Sequence, residues 1–429
     1  MLARVEHDEI VSEPVHFPEG DAGRVGHEPI YGAKDEKDNR AESSRMVARS
    51  PRNIAICLVA LFGAGIGPAA AVITDAPPPA KPSKIKVETF AQGLENPWGM
   101  QFLPDGRLLV TERVGRMRLI SKDGKLSPAI LDGLPEVAAV GQGGLLDVLL
   151  APDFATSGII YLSYGEPRGN GKNGTSVARA KLVFEGDGAR LEDVKVIFRQ
   201  QPAADSGHHF GSRLVWAKDG KLFITTGERN ILRKESQNPA NDIGKIIRIN
   251  ADGSIPDDNP KLPGWAPEVW SIGHRNAQGA AIRPETGQLY IVEHGAQGGD
   301  ELNHPKAGKN YGWPIITYGI DYSGAKIGEG SEKEGMEPAV YFWVPSIATS
   351  GLAFYTGDLF PDWKGNAFVG GLAGTRVERL VLEGDNVVAK EELLMDEGKR
   401  IRDVRAGPDG ALWLLTDDTG EVLRVVPGE

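Results

Sequence analysis

The stretch Pro104-Asp-Gly-Arg-Leu-Leu-Val-Thr-Glu112 joins a tight turn to a short apolar run, and this unit recurs along the chain. Similar turns, each followed by a strand-like run, begin at Pro152, Lys218, Pro284, Pro361 and Pro408. A four-stranded propeller blade takes about 40–50 residues, and the longer intervals would contain inserted loops. The spacing therefore predicts an all-β fold over residues 85–429, a six-bladed β-propeller with four-stranded antiparallel blades. A β-sandwich with coincidental turns is the alternative.

The composition agrees with a turn-rich globular chain. Among 429 residues there are 55 Gly and 29 Pro, and no long amphipathic helix is evident after Val87. The formal net charge of -11 argues against a nucleic-acid partner, which requires clustered positive charge. The single Cys excludes a disulfide framework and a metal site built from several cysteines.

The first 84 residues differ from the rest. Residues 1–45 are polar and aperiodic, which predicts a disordered extension or a start codon placed upstream of the true start at Met46. Residues 46–71 combine a basic start, a short apolar run and small residues, which is typical of a signal peptide. A membrane anchor is the alternative, but the run is shorter than the ~20 residues of a span. Residues 72–84 predict a stiff, exposed, Pro-rich leader. The mature protein is expected to be periplasmic or secreted, without stable membrane insertion.

Polar residues gather in Gly-rich segments beside the predicted strands. They are His208-His-Phe-Gly-Ser-Arg213, Gly273-His-Arg-Asn-Ala-Gln-Gly279 and Glu293-His-Gly-Ala-Gln-Gly-Gly-Asp-Glu301. A propeller brings such loops to one polar pocket on its axis, where ligands bind. The third segment offers the oxygen ligands that Ca²⁺ prefers, although the EF-hand pattern is missing. HExxH, Walker A and Gly-x-Ser-x-Gly patterns are absent from the sequence, which disfavours the corresponding zinc, nucleotide and serine-hydrolase chemistry.

A basic cluster, Lys399-Arg-Ile-Arg402, precedes the last strand pair. Arg400 and Arg402 alternate in an extended segment, so both are predicted to face one side. Paired guanidinium groups suit a carboxylate or phosphate ligand. A salt-bridged surface pair is the alternative.

Seven segments, taken in order, resemble the soluble quinoprotein sugar dehydrogenases of the glucose/sorbosone dehydrogenase family over about residues 85–429. They are Gly93-Leu-Glu-Asn-Pro-Trp-Gly99, Gly141-Gln-Gly-Gly-Leu145, His208-His-Phe-Gly-Ser-Arg-Leu214, Gly273-His-Arg-Asn-Ala-Gln-Gly279, Glu293-His-Gly295 with Gly298-Gly-Asp-Glu-Leu-Asn303, Lys309-Asn-Tyr-Gly-Trp-Pro314 and Arg400-Ile-Arg-Asp-Val404. The resemblance implies a six-bladed propeller that uses pyrroloquinoline quinone (PQQ) and Ca²⁺. It implies oxidation of aldose sugars at C1 to the lactone, with hydride transfer to PQQ and electrons passed to an external acceptor that the sequence does not identify.

The resemblance also implies roles for single residues. His209 corresponds to the general base, Glu228 to a supporting acid, and Arg275 to an arginine over the quinone. Further cofactor contacts correspond to Gln142, His208, Asn276, Tyr322, Arg400 and Arg402.

Two calcium sites are implied in the same way. The carbonyls of Gly295 and Ala296 correspond to ligands of the catalytic ion, while Glu301 and the carbonyl of Tyr311 correspond to ligands of a structural one. One departure is Ala373, near the place where some relatives have a lysine on the cofactor. Cofactor affinity is then expected to depend more on Arg400 and Arg402, or on Arg376.

Two other functions fit a polar propeller axis. One is a calcium-dependent propeller lactonase, which would hydrolyse lactones without PQQ. The other is a non-catalytic extracellular binding propeller, which would bind its ligand without turnover.

Overall fold

The computed structural model describes residues 75–186 and 188–429. Within these residues, 24 strands form six four-stranded antiparallel sheets that follow one another along the chain. This confirms the predicted six-bladed β-propeller. The predicted N-terminal extension (1–45), the predicted signal peptide (46–71) and the first three residues of the leader lie outside the described residues.

The blades are numbered along the chain, and each begins with its innermost strand. Blades 1 and 2 contain β2 (Pro97–Phe102), β3 (Leu108–Glu112), β4 (Arg116–Ile120), β5 (Leu126–Ile130), β6 (Leu145–Leu150), β7 (Ile159–Pro167), β8 (Asn173–Glu185) and β9 (Gly188–Arg199). Blades 3 and 4 contain β10 (Gly211–Trp216), β11 (Leu222–Thr226), β12 (Lys245–Ile249), β13 (Val269–Ile272), β14 (Ala277–Ile282), β15 (Leu289–Glu293), β16 (Asp300–Asn303) and β17 (Tyr341–Trp343). Blades 5 and 6 contain β18 (Thr349–Phe354), β19 (Ala367–Gly371), β20 (Arg376–Glu383), β21 (Asn386–Leu393), β22 (Ile401–Ala406), β23 (Leu412–Thr416), β24 (Val422–Pro427) and β1 (Ile85–Ala91).

Both ends of the propeller chain meet in blade 6. Strand β1 is its outermost strand and pairs with β24, with Ile85 opposite Pro427 and Glu88 opposite Arg424. Pairing the first strand with the last closes the ring, because the chain that continues from β1 into blade 1 is hydrogen-bonded to the C-terminal strand of blade 6.

Each of the six turns that define the sequence repeat lies between the first and second strand of its blade. The turns therefore share one end of the propeller. The longest interval between turns is explained by the segment 304–340, which joins β16 to β17. This segment runs back along β13, where Tyr311 N donates to Ile272 O (2.8 Å), and it reaches the opposite end of blade 4.

Most residues in the described part of the leader are exposed, and a few of them contact blade 5. Ala76 is buried in an apolar cluster, and Lys390 N in β21 donates to Pro77 O (3.0 Å). The hydroxyl of Ser83 donates to Glu391 (2.6 Å) and accepts from the indole of Trp363 (2.8 Å). The outer edge of blade 5 holds the leader because it offers both polar partners and apolar surface.

An apolar cluster fills each of the six spaces between neighbouring blades. Burial of these faces is the main favourable contribution to folding.

Helical structure is limited to short turns, and none of the helices in the described ranges is long and apolar enough to cross a membrane. These turns are α1 (Phe154–Ser157) and the 3₁₀ turns Arg233–Gln237 and Pro361–Trp363.

Four charged side chains on the innermost strands form a polar plug on the axis. The guanidinium of Arg213 lies 3.0 Å from Asp147 and 3.2 Å from Asp403, and Arg405 lies 3.2 Å and 2.9 Å from the same two carboxylates. Both aspartates are almost fully buried. Gly99 leaves room for the plug, since a Cβ there would lie 2.8 Å from Asp147 Oδ1. The plug lies beneath the loops that precede the innermost strands.

Candidate active site

The loops at the start of the innermost strands form a site across blades 2, 3 and 4. The amide of His209 donates to Gln142 Oε1 (2.8 Å), and that of Gly211 donates to Asn276 Oδ1 (3.0 Å). The amide of Glu228, just after β11, donates to Arg275 O (2.9 Å). These three hydrogen bonds bring together four stretches of the chain, at residues 142, 209–211, 228 and 275–276, as the propeller topology predicts.

The centre of the site is a buried imidazole–carboxylate pair. His209 Nδ1 lies 2.7 Å from Glu228 Oε1, and His209 and Glu228 are 6% and 0% exposed. The backbone of His209 has φ of +49°, which is unfavourable for a residue with a Cβ. Gly227 makes this conformation possible, since a Cβ on Gly227 would lie 2.0 Å from His209 O. Strained backbone of this kind is concentrated at functional sites.

Burial sets the charge states of this pair. It lowers the pKa of His209 to about 2, with Arg275, His208 and Arg229 acting in the same direction. Burial also raises the pKa of Glu228 to about 7, against the effect of Arg275. The imidazole is therefore neutral at physiological pH. The carboxylate partner assigns the proton to Nδ1 and leaves Nε2 as a lone-pair acceptor.

Arg275 and Asn276 present unused donors beside this pair. Arg275 is 3% exposed, its Nη1 donates to His294 O (3.2 Å), and its guanidinium lies 5.2 Å from the ring centre of Trp313. Within the described residues, Arg275 Nε and Asn276 Nδ2 are buried without a hydrogen-bond partner. Buried donors of this kind are costly unless a ligand or water accepts from them.

The loop between β15 and β16 forms a tight oxygen-rich turn next to Arg275. The amide of Gly295 donates to Asp300 Oδ1 (2.8 Å), and the amide of Thr349 donates to Asp300 Oδ2 (3.2 Å). A Cβ on Gly295 would lie 2.3 Å from Gly298 O, so the turn requires glycine there. Ala296 is buried in the same turn. Because both oxygens of Asp300 accept backbone N–H groups, oxygen ligands for a cation here would come from main-chain carbonyls.

A second group of oxygens lies around Glu301. Asn303 Nδ2 bridges Glu301 Oε2 (2.9 Å) and Glu293 Oε1 (3.0 Å), while Asn303 Oδ1 is buried without a partner among the described residues. The pKa of Glu301 is raised well above its ordinary value by burial and by the neighbouring carboxylates Glu293 and Asp300. Crowded carboxylates and an unsatisfied amide oxygen are an environment that favours a bound cation.

Tyr311 is connected to this group through His274. The ring of Tyr311 stacks on His274 with 5.0 Å between ring centres, and His274 Nδ1 lies 2.9 Å from Glu293 Oε1. Ser271 Oγ lies 2.8 Å from His274 Nε2, so this buried histidine has partners on both nitrogens. His274 therefore supports the site and does not present a lone pair to it.

Arg400 and Arg402 of the basic cluster both contact Asp417, which lies in blade 6. Arg402 is buried and contacts Asp417 Oδ1 (3.0 Å) and Gln278 Oε1 (2.9 Å). Arg400 is partly exposed, donates to Leu372 O (3.1 Å) and lies 3.5 Å from Asp417 Oδ2. Their common partner agrees with the prediction that the two side chains face one way, but Arg402 has a carboxylate partner within the protein.

Two further predicted contacts lie at the surface. His208 is exposed, and its ring stands edge-on to His209 with 6.3 Å between ring centres. Tyr322, in the segment 304–340, is 69% exposed.

The two residues named with the missing lysine lie in blade 5. Ala373 is exposed, and Arg376 is paired with Glu378 (2.7 Å).

The sequence interpretation missed Arg229. This buried guanidinium donates to His208 O (2.8 Å) and Ser206 O (2.5 Å) and lies 3.6 Å from the ring centre of Phe210. It thereby holds the loop that carries His209. In the sequence, Arg229 stands directly after Glu228, which could have drawn attention to it. Its place in the sequence does not show, however, that its side chain points back to the loop of His209.

Together, the fold and site define a six-bladed propeller with a buried acid–base centre at one end of its axis. The family model described as glucose/sorbosone dehydrogenase matches residues 94–424. The chain therefore belongs to the glucose/sorbosone dehydrogenase family, as its loop motifs predicted, and is an oxidoreductase of the sugar dehydrogenase type.

Individual relatives cover most of the chain. The aldose sugar dehydrogenase YliI of Escherichia coli K12 is 47% identical over 354 residues, which are 81% of this chain and 94% of that protein. A crystal structure of the soluble aldose sugar dehydrogenase of Escherichia coli in the apo form is 46% identical, with a TM-score of 0.77, and covers 80% of this chain and 99% of that one. The PQQ-bound form of an aldose sugar dehydrogenase from Streptomyces coelicolor is 30% identical, with a TM-score of 0.67, over 81% of this chain and 99% of that one.

Proposed function

We propose that the protein is a PQQ- and Ca²⁺-dependent aldose dehydrogenase. It oxidises the C1 hydroxyl of aldose sugars to the lactone and passes the electrons to an external acceptor. The observation that carries this proposal is the neutral imidazole of His209, buried against Glu228, beside donors of Arg275 and Asn276 that have no partner among the described residues. A solved relative that is described as PQQ-bound supports the choice of cofactor.

The donor set fits an anionic, acceptor-rich cofactor. PQQ is a flat ortho-quinone with three carboxylates, and the site offers the cations and N–H groups that such a molecule requires. The residues that would hold it are Gln142, His208, Arg275, Asn276, Tyr322, Arg400 and Arg402. When bound, PQQ would supply the hydride acceptor for the oxidation at the sugar C1, and Ca²⁺ would supply Lewis acidity to that acceptor.

Two places fit calcium. The turn at Gly295 and Ala296 would supply main-chain oxygens for a catalytic ion, because Asp300 is already committed to backbone N–H groups. Glu301, with the carbonyl of Tyr311, would hold a structural ion, and the unpartnered Asn303 Oδ1 points to the same need for a cation. Hard oxygen ligands of both kinds are those that Ca²⁺ prefers.

The chain's own residues perform the proton chemistry. His209 Nε2 accepts the proton of the C1 hydroxyl, and Glu228 holds the imidazole in the tautomer that leaves Nε2 available. Arg275 provides a fixed positive charge at the site without reorganisation, since its backbone amide is tied to Glu293 (2.7 Å). Their burial excludes water and strengthens each electrostatic interaction.

The proposed location is the periplasm or the exterior of the cell. It rests on the signal-peptide pattern of residues 46–71 and on the requirement for an external electron acceptor. A fusion of residues 46–71 to a reporter that is active only after export tests this assignment. An inactive reporter whose fusion protein stays in the cytoplasm would contradict it.

The central experiment starts from cofactor-free protein and adds PQQ and Ca²⁺ to it. We expect protein mixed with PQQ and Ca²⁺ to reduce an artificial dye when an aldose is added, and the absorbance of bound PQQ to change with the sugar. Chelation of Ca²⁺ should abolish dye reduction. Absence of dye reduction across a panel of aldoses, or lactone hydrolysis without PQQ, would overturn the proposal.

The pH dependence of kcat/KM should follow Glu228. Burial raises its pKa to about 7, whereas His209, with a pKa of about 2, stays neutral throughout the useful range. Below about pH 7 the protonated carboxyl no longer favours the Nδ1–H tautomer, so kcat/KM should fall tenfold for each unit of pH. In Glu228→Gln, a carboxamide oxygen accepts from Nδ1 at every pH, and this acid limb should disappear. An unchanged limb in Glu228→Gln would show that another group titrates.

Arg400→Ala should weaken PQQ binding. A charge-assisted hydrogen bond contributes about 1.5–3 kcal/mol, so Kd for PQQ should rise by roughly 10- to 100-fold, while kcat at saturating PQQ should largely persist. Lys399→Ala is the matched control, because its ammonium group is directed to Glu421 (3.1 Å). Equilibrium titration of PQQ measures both variants, and equal losses of affinity would assign the effect to overall charge.

A further inference from the structure

Two long loops border one side of the site, and a single ion pair joins their tips. The segment 227–244 connects β11 to β12, and the segment 304–340 connects β16 to β17. Arg233 Nη1 in the first lies 2.7 Å from Asp321 Oδ2 in the second. The two side chains are 34% and 26% exposed, so the pair is partly shielded from solvent.

Nearer their ends, the two loops are joined by hydrogen bonds that do not involve the ion pair. Gln237 Nε2 donates to Trp313 O (2.7 Å), and Asn310 Nδ2 donates to Gln237 Oε1 (2.7 Å). Further out, the amides of Gln297 and Ile320 each donate to the other's carbonyl, at 2.9 and 3.1 Å. In the turn that follows Ile320, Asp321 contacts the other loop, and among the described residues its partner there is Arg233.

Asp321 organises the turn that carries Tyr322. Its Oδ1 accepts from the amide (3.1 Å) and the hydroxyl (3.0 Å) of Ser323, and its amide donates to Ala325 O (2.9 Å). Tyr322 itself is 69% exposed, so packing does not hold it in place. The position of this aromatic ring therefore depends on the backbone of the turn, which the contacts of Asp321 and of the adjacent Ile320 hold in place.

Tyr322 and Arg233 both lie within electrostatic range of the catalytic centre. Burial lowers the pKa of Arg275, and Tyr322 is among the neighbouring groups that oppose this effect. Arg233 belongs to the cations that, after burial, lower the pKa of His209. Ile231 and Ile320, 60% and 44% exposed, lie close in sequence to the pair on the two loops and add exposed apolar surface beside it.

We propose that the Arg233–Asp321 ion pair is a latch between the two loops, which holds Tyr322 at the mouth of the site and thereby sets the affinity for the sugar. The inference rests on the proposed function and adds to it two positioning residues that determine KM. An aromatic ring beside apolar side chains is a suitable wall for the C–H faces of an aldose. Holding that wall in place lowers the ordering cost of binding without taking part in the chemistry.

The test compares disruptive and conservative variants of both partners in enzyme loaded with PQQ and Ca²⁺. For D-glucose, Asp321→Ala and Arg233→Ala should each raise KM about fivefold, the upper range for a partly exposed ion pair, with kcat changed less than twofold. Asp321→Glu and Arg233→Lys can still form the pair and should keep most of the affinity. The double alanine variant should be no worse than Asp321→Ala, because Arg233→Ala removes only the ion pair that Asp321→Ala has already removed together with the Ser323 bonds.

Glu329→Gln is the matched control. It removes the Glu329–Lys333 pair (2.8 Å), which lies within the same segment but joins no second loop. We expect its KM to equal that of the unmodified protein. An unchanged KM in both alanine variants, or effects that add in the double variant, would overturn the latch.

A second measurement separates the latch from the proposed activity. In protein without PQQ, backbone amides of residues 321–326 should exchange with deuterium several-fold faster in Arg233→Ala, which leaves the Asp321–Ser323 bonds intact, than in Glu329→Gln, with amides of β14 unchanged. If the unmodified protein oxidises no aldose but exchange accelerates as expected, the proposed function fails and the latch stands. If exchange at these residues is unchanged, the latch is overturned whatever the kinetics show.

Discussion

Replacing His209 with glutamine should lower kcat by about 10²–10⁴-fold, the usual contribution of a positioned general base. Glutamine keeps approximate size and polarity but has no lone-pair nitrogen to accept the C1 proton. PQQ affinity should change little, because His209 is not among the proposed cofactor contacts, whose cations are Arg275, Arg400 and Arg402. Steady-state dye reduction at saturating PQQ measures the first effect, and equilibrium titration of PQQ measures the second.

His208→Gln is the control for this experiment. His208 is adjacent in sequence, but it is exposed and lacks the carboxylate partner that orients His209. We expect its substitution to affect cofactor binding more than kcat. Near-normal kcat in His209→Gln would exclude His209 as the base. Equal losses of kcat in the two variants would indicate a distorted loop.

Asp147→Asn should destabilise the protein by about 3–5 kcal/mol, the cost of removing one partner from a buried ion pair. Asp147 faces Arg213 (3.0 Å) and Arg405 (3.2 Å), and its Oδ2 also accepts from the amide of Leu214 (2.9 Å). The substitution leaves two axial guanidinium groups with Asp403 as their remaining carboxylate in the plug. Urea denaturation should show a lower midpoint with an unchanged slope.

The matched control is Asp123→Asn. Asp123 also pairs with a cation, Lys125 (3.1 Å), but their side chains are 59% and 83% exposed. Because exposed pairs contribute little, its denaturation midpoint should not move. A midpoint for Asp147→Asn equal to that of Asp123→Asn would show that the axial plug does not stabilise the ring.

The blade count was predictable because it depends on local chemistry. Turns such as Pro104-Asp-Gly106 favour chain reversal wherever they occur, and short apolar runs favour strands. Each turn does lie between the first two strands of a blade. The residues of the candidate site came from the resemblance in loop motifs, and the structure brings His209, Glu228, Arg275 and Asn276 together.

Other features depend on pairings across the fold. Arg402 has the sequence signature of an anion-binding residue, yet its guanidinium contacts Asp417, fifteen positions further along the chain. The axial plug joins Asp147 to Arg405, 258 positions apart. The latch joins Arg233 to Asp321, 88 positions apart. No periodicity or spacing predicts such partners, since their distance in space is set by the closed ring.

The sequence by itself therefore determined the strand and turn pattern, the number of blades and the residue types available at the site. These follow from backbone conformational preferences and apolar periodicity, which act over a few residues. Only the tertiary structure decided which charges are neutralised within the protein, which donors remain unpartnered, and that His209 is buried against Glu228. Those outcomes depend on burial and on partners from other blades, because desolvation and distance control hydrogen bonding and pKa values.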